Sequence, residues 1–432
     1  MAMPLTHKRS MLKKSYRFEP AKMEPFLEEF GSPLFLVYED ILHEQYRILR
    51  NTLDEHYGNS MIAYSFKTNP LSKICNLFKE EGALAEVVSG SEYTTARRLG
   101  FEGKNIVFNG PHKTDADLIL AVSEGATINI DSKEEFLRLV HAVESWISVP
   151  FSIGIRLSST TISNDVRNSH KRRALFERFG FNLENGDAAA FCSFVKNSQT
   201  PIHIAGYHMH IATDIADPDI YRHATEMVML FASEMEKKYR IVPKYIDLGG
   251  GFADSSAVLS EKSNTGGSPN DFIRAISDTL RHTTFSNPPT LILEPGRFLV
   301  SRSTDLATRV LSVKKRGDGQ LVTIDASESI LPFAGPTNHY EISAIKEGHP
   351  TIDTIVGGAS CMARDVLGRF QLPVLNEGDI LVVKNCGAYV LARSSQFIFP
   401  RPATVWVDSS LGAVSLARKA ETPDDLMRLD VV

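Results

Sequence analysis

Residues 61–80 read MIAYSFKTNPLSKICNLFKE. Met61–Phe66 is a short apolar run of the kind a strand covered on both faces requires, and Leu71–Glu80 then returns apolar residues at helical spacing. The same beat repeats downstream. Strands are expected at Leu84–Val88, Ile106–Phe108, Thr127–Ile130, Phe151–Leu157, Ile202–His210, Tyr245–Leu248 and Thr290–Leu293. Helical stretches alternate with them at Glu92–Leu99, Ala116–Val122, Lys133–Val143, Asp187–Lys196, Ile220–Lys238 and Phe272–His282. Eight strands, each followed by a helix over about 250 residues, have the size and order of a TIM (β/α)8 barrel. An open dinucleotide-binding sheet would carry a GxGxxG turn after its first strand, and Ser65–Leu71 (SFKTNPL) holds no glycine.

Past residue 305 the pattern changes. Arg309–Lys315, Gln320–Asp325, Ile352–Val356, Ile380–Lys384, Thr404–Val407 and Ala413–Ala417 alternate or cluster in β-branched residues between Gly and Asp punctuation. This predicts a second, mostly antiparallel β domain. The segment Ser15–Val37 ends in the strand-like PLFLVY and is expected to pair with it. The division is a barrel over 38–304 and a β domain built from 1–37 and 305–432.

The 432 residues are 43% hydrophobic and 23% charged, the usage of a globular rather than a disordered chain. Lys and Arg total 47 against 52 Asp and Glu, a formal charge of −5, which gives no basic field for nucleic acid or an anionic membrane. The four cysteines, Cys75, Cys192, Cys361 and Cys386, show no CxxC spacing, and no metal is expected. The basic leader (Lys8, Arg9, Lys13, Lys14, Arg17) precedes no apolar signal region, and a Ser/Gly/Asn-rich loop spans Ser255–Asn270. A soluble, reduced, cytoplasmic protein working on small molecules is the expectation.

A TIM barrel carries its chemistry at the C-terminal ends of its strands. In order, those ends offer Lys67, Ser89, Asn109, Asp131, Arg156, His210, Gly249–Gly251 and Glu294–Arg297. Lys67 follows its apolar run directly, where desolvation is expected to lower its pKa and make it a nucleophilic amine. Taken alone it reads more readily as an exposed loop lysine, and His208 and His210 as packed core residues. The loops after the last two strands, DLGGGF (247–252) and EPGR (294–297), fall where TIM barrels hold phosphate. A lysine nucleophile, a phosphate cradle and a carboxylate at a strand end together suggest pyridoxal 5'-phosphate (PLP).

AYSFKTNP, EVVSGSEY, GYHMHIATD, DLGGGF, EPGRFLV, GASCMARDVL and NCGAYV, in this order, resemble the alanine racemase-like (fold type III) PLP-dependent decarboxylases, which include diaminopimelate and ornithine decarboxylases. The resemblance implies that Lys67 bonds the cofactor and that His210 lies against its ring. It implies that Thr213, Gly249, Gly250, Gly251, Gly296, Arg297 and Tyr389 surround the phosphate, and that Glu294 faces the pyridine nitrogen. It also implies that Cys361 reprotonates the α-carbon across a homodimer interface, and it assigns Met362, Arg364 and Asp365 to the substrate side.

The departures concern the substrate. After the reactive cysteine the family places an acid for the distal ammonium, and this chain has Met362; the diaminopimelate enzymes carry an arginine in the segment matching Asp325–Pro332 (DASESILP), and none stands there. A buried ammonium facing methionine would be unpaired. The residues therefore predict decarboxylation of an amino acid or conjugate without a free distal ammonium, as in siderophore precursors, with Arg364 meeting a citryl or other carboxylate. Diaminopimelate, ornithine or lysine decarboxylation is the alternative, followed by a racemase and a non-catalytic homologue.

Overall fold

The computed structural model describes residues 17–18, 20–143, 150–165, 178–253, 268–282, 285, 287–332, 340–344, 350–408 and 412–431. Lys8 to Lys14 of the leader, the rest of residues 1–16 and loop residues 255–267 lie outside the described residues. The strands are β1 (Leu34–Tyr38), β2 (Ser60–Ser65), β3 (Leu84–Val87), β4 (Ile106–Phe108), β5 (Thr127–Ile130), β6 (Phe151–Ser158), β7 (Phe181–Asn182), β8 (Ile202–His208), β9 (Tyr245–Asp247) and β10 (Thr290–Leu293). Except for β1 and β7, they pair in parallel in a closed ring, β2-β3-β4-β5-β6-β8-β9-β10 and back to β2. The short apolar runs become strands because both faces are covered, by barrel interior and by helices. The two-residue β7 is extra and, among the described residues, pairs only with the end of β6.

One expectation fails at the seam. The eighth barrel strand, β10, is followed only by the four-residue helix Arg297–Val300, not by a full one. The helix Glu39–His56 covers that side instead, burying Leu42, Tyr46, Leu49 and Leu53 in the barrel's hydrophobic core and packing beside the helix Pro269–His282. Its apolar residues recur at helical spacing, but it comes before the first barrel strand and so outside the strand-then-helix beat.

The second sheet holds β11 (Thr304–Arg316), β12 (Gly319–Ile324), β13 (Glu341–Ala344), β14 (Thr351–Gly357), β15 (Val366–Pro373), β16 (Ile380–Lys384), β17 (Thr404–Asp408) and β18 (Ala413–Arg418). β1 joins it, antiparallel to β11 and parallel to β17. The sheet is mostly antiparallel, with β12–β14 the other parallel pair. β13 and β15 were not legible in the sequence: β15 is a partly exposed edge strand interrupted by Gly368, Arg369 and Gln371. Beyond β16 the chain returns to the barrel mouth, where Asn69 Nδ2 donates to Gly387 O (2.9 Å) and Tyr389 N donates to Thr68 O (2.8 Å). Among the described residues no helix is long and apolar enough to cross a membrane.

Candidate active site

Lys67 sits in a single helical turn, Phe66–Thr68, at the end of β2. Its Nζ donates to Glu86 Oε2 at 2.5 Å. Glu86 comes from β3, is 1% exposed, and also accepts from Ser65 Oγ (2.6 Å) and Asn109 Nδ2 (3.2 Å). Burial pulls the Lys67 pKa down, but the charges of Glu86 and Glu294 outweigh it and hold the amine above the ordinary lysine value. The sequence-based expectation of a lowered pKa is therefore corrected. Desolvation acts as foreseen, yet two carboxylates meet the ammonium. Glu86 was missed, although an acid inside the apolar run LAEV was a visible signal.

Glu294 follows β10, fully buried, and accepts from Asn109 Nδ2 at 2.5 Å. His208 and Asp247, at the ends of β8 and β9, close on it; one ligating atom of each of the three lies within 4.8 Å of the others. Asp247 Oδ1 accepts from Gly249 N (2.9 Å), while among the described residues Oδ2 and both ring nitrogens of His208 have no hydrogen-bond partner, His208 Nε2 standing 3.7 Å from Glu294 Oε2. Burial, then the neighbouring Glu294 charge, drives the Asp247 pKa up. Burial also works against ionised Glu294, but His208 and Lys67 outweigh it and hold that carboxyl low. Asp247 is thus the member of the pair that keeps a proton, and Glu294 the one that keeps the charge.

The glycine run packs where no side chain fits. A Cβ at Gly250 would stand 2.1 Å from the Glu294 carbonyl oxygen, and Gly251, at φ +92°, would place one 2.0 Å from Ala212 O. Gly250 N donates to His210 Nδ1 at 3.4 Å. Burial, helped by the Lys67 and Arg156 cations, pushes the His210 pKa down to about 3, so its imidazole is neutral. A Cβ on Gly296 would stand 2.0 Å from Thr68 Oγ1, and Arg297 lies buried, 5.3 Å from the centre of the Tyr389 ring. Lys67, Glu86, Asn109, His210, Thr213 and Glu294 share the wall of one cavity of about 420 Å³, a normal size for a small-molecule site. Arg156, paired with Asp131 at 3.2 Å, and Arg178 complete its cationic rim.

Cys361, Met362 and Arg364 are not on that wall. Met362 and Arg364 line a second cavity of about 580 Å³ with Glu328, Ser329, Pro332, Ser395 and Phe397, and Cys361 is exposed beside it. Asp365 turns away, its two carboxylate oxygens accepting Glu328 N and Ser360 N at 2.9 Å each.

Residues 42–301 match the family described as pyridoxal-dependent decarboxylase, pyridoxal binding domain. The chain belongs to the pyridoxal-dependent decarboxylases. It is 28% identical over 406 residues to the diaminopimelate decarboxylase of Methanothermobacter thermautotrophicus, covering 93% of this chain and 92% of that one. With the Bacillus subtilis diaminopimelate decarboxylase it shares 27% over 412 residues, 94% and 92% of the two chains. The crystal structure of diaminopimelate decarboxylase from M. jannaschii has the same fold at TM-score 0.83, with 26% identity over 94% of each chain. The lysine/ornithine decarboxylase of Vibrio vulnificus complexed with putrescine shares the fold at TM-score 0.74 and 22% identity, over 90% of this chain and 98% of that one.

The donor set fits the cofactor this decarboxylase family uses. PLP needs an amine for its aldehyde, backbone donors for its phosphate and an anion for its ring nitrogen. Lys67 and ionised Glu294 line one cavity, and the tightly packed glycine run lies behind its wall, joined to it by the Gly250 N–H bond to His210.

Proposed function

We propose that this chain removes the α-carboxylate of a diamino acid of the diaminopimelate, lysine and ornithine class, as a homodimer in which Cys361 of one protomer serves Lys67 of the other. The observation that carries it is Lys67 Nζ held by Glu86 beside ionised Glu294 in one cavity. The diaminopimelate decarboxylases it resembles along nearly their whole length support the substrate class. PLP, when bound, supplies the sink for the electron pair that CO₂ leaves behind.

The chain's own groups do the rest. Glu86 Oε2 takes the proton that Lys67 Nζ must shed before it is nucleophilic, a transfer across 2.5 Å. Glu294, with Asn109 donating to it, keeps a negative charge and would face the ring nitrogen of the bound cofactor. His210 stays neutral, so it adds a flat wall without a competing cation. The exposed Cys361 Sγ then delivers a proton to the α-carbon.

Met362 favours a second reading, a conjugate whose far end carries no ammonium, as in citryl-diamino acid precursors of siderophores. CO₂ release by the PLP-loaded enzyme, measured on diaminopimelate, lysine, ornithine and citryl-diamino acids, decides between them. Release from the free diamino acids is expected; release from the conjugates alone establishes the second reading, and no release from any overturns both.

A further inference from the structure

Tyr245, Asn129 and Asn109 form one line of hydrogen bonds through the barrel interior, from its far mouth to the acids beside Lys67. Tyr245 opens β9 and, with Lys244, lines a cavity of about 280 Å³ where β5, β6 and β9 begin. Its Oη donates to Asn129 Oδ1 of β5 at 2.7 Å, and Asn129 Nδ2 donates to Asn109 Oδ1 at 2.8 Å. Asn109, following β4, spends both amide hydrogens on carboxylates, Glu294 Oε1 at 2.5 Å and Glu86 Oε1 at 3.2 Å. Asn109 is 3% exposed and Asn129 1%, so no bulk solvent stands in for a missing link.

The direction of this line is dictated from the acid end. An ionised carboxylate only accepts, so Asn109 must turn its NH2 toward Glu294 and Glu86 and leave its oxygen for Asn129. Asn129 then has only its oxygen left for Tyr245, whose hydroxyl must donate. Burial, followed by the charges of Asp247 and Glu294, raises the Tyr245 pKa, so the hydroxyl keeps its proton. Two strand glycines make the room. A Cβ at Gly154 would stand 2.0 Å from both Asn129 Oδ1 and Tyr245 Oη, and one at Gly206 2.3 Å from Tyr245 Cζ.

We infer that Tyr245 is a positioning residue for the cofactor site: through Asn129 and Asn109, its hydroxyl fixes the amide that keeps Glu294 charged and in place. This rests on Glu294 facing the ring nitrogen of bound PLP. Each donor in the line polarises the next, so the hydroxyl acts on a carboxylate that it does not touch. With that support removed, Glu294 becomes more basic and draws the ring-nitrogen proton toward itself.

Tyr245→Phe keeps the ring beside Gly154 and Gly206 but removes the hydroxyl, and Glu294→Gln removes the charge that sets the direction; together they make a double-mutant cycle. PLP affinity is measured by fluorescence titration of the four apoenzymes below the lowest of their melting temperatures, and ring-nitrogen protonation by nitrogen-15 NMR of labelled PLP on the loaded proteins. In the wild-type background Tyr245→Phe is expected to weaken PLP binding about threefold or more, within the range for partners in one hydrogen-bond network, and to move the ring-nitrogen resonance toward its unprotonated position. In the Glu294→Gln background neither change is expected, since a neutral amide both donates and accepts and no longer dictates how Asn109 turns. If Tyr245→Phe does not fold, Asn129→Leu, which removes both links with a side chain of similar shape, takes its place in the cycle. The same change in both backgrounds, or none in either, makes Tyr245 a space-filling side chain and overturns this inference alone. Wild-type affinity and an unmoved resonance in Glu294→Gln itself show that the carboxylate does not face the ring nitrogen, and overturn that assignment and the inference together.

Discussion

Lys67 shows how two effects of opposite sign decide the state of one residue. Burial alone would release its proton, yet Glu86 at 2.5 Å and Glu294 behind it keep the amine charged. A charged amine is no nucleophile, so the proton must pass to an acceptor as PLP arrives, and Glu86 is in hydrogen-bond contact. Glu86→Gln keeps the shape and a hydrogen-bonding oxygen but removes the basic oxygen and the negative charge. Stopped-flow absorbance of apoenzyme mixed with PLP across a pH series should show Lys67 becoming reactive at lower pH in the variant, because the amine loses a carboxylate that holds its proton. An unchanged pH profile would mean that Glu294, not Glu86, keeps the amine charged.

At the scale of elements, two loops that are adjacent in the barrel and distant in sequence are interlocked. The glycine run after β9 presses Gly250 against the Glu294 carbonyl, and Glu294 N donates back to Gly249 O at 2.8 Å. Gly250→Ala must push these loops apart, at a cost of about 1–3 kcal/mol for an overpacked site. Because the displaced loops carry both the proposed phosphate seat and Glu294, PLP affinity measured by fluorescence titration should fall along with the melting temperature. A variant with full affinity would show that the loops do not act as one unit. The rule that barrel chemistry sits at strand ends was enough to gather Lys67, His210, Glu294 and the glycine run from the sequence as one proposed site, and the structure places them at those strand ends. It could not find the pairing of Glu86 with Lys67 or of Tyr245 with Asn129, since spacing along a chain does not say which side chains meet across strands or loops. The eight barrel strands were legible because both faces are apolar. β15 was not, because its exposed face breaks the run, and Glu39–His56 was passed over because it covers a seam ahead of the strand that it protects.

At the scale of the whole molecule the two sheets are joined where the chain leaves the barrel, and a buried acid stands at that junction. Asp305, near the start of β11, lies opposite Leu36 of β1 and accepts from Arg17 Nη1 at 3.1 Å. Burial raises its pKa to about 6, even after the attraction of Arg17 and Lys384 is counted. The unfolded chain would hold this proton only up to the usual aspartate value near 3.9. Between those two values the folded protein binds more protons than the unfolded one, so stability falls as pH rises through the window. Above it the deficit is about 3 kcal/mol by the usual conversion of pKa differences to free energy. Asp305→Asn keeps an oxygen for Arg17 and carries no charge. Its melting temperature should therefore lie close to that of wild type near about pH 4 and rise progressively above it toward about pH 7. A gap that stays constant or reverses would mean that the Arg17 ion pair outweighs the cost of burying the carboxylate, and that the junction is held by charge rather than in spite of it.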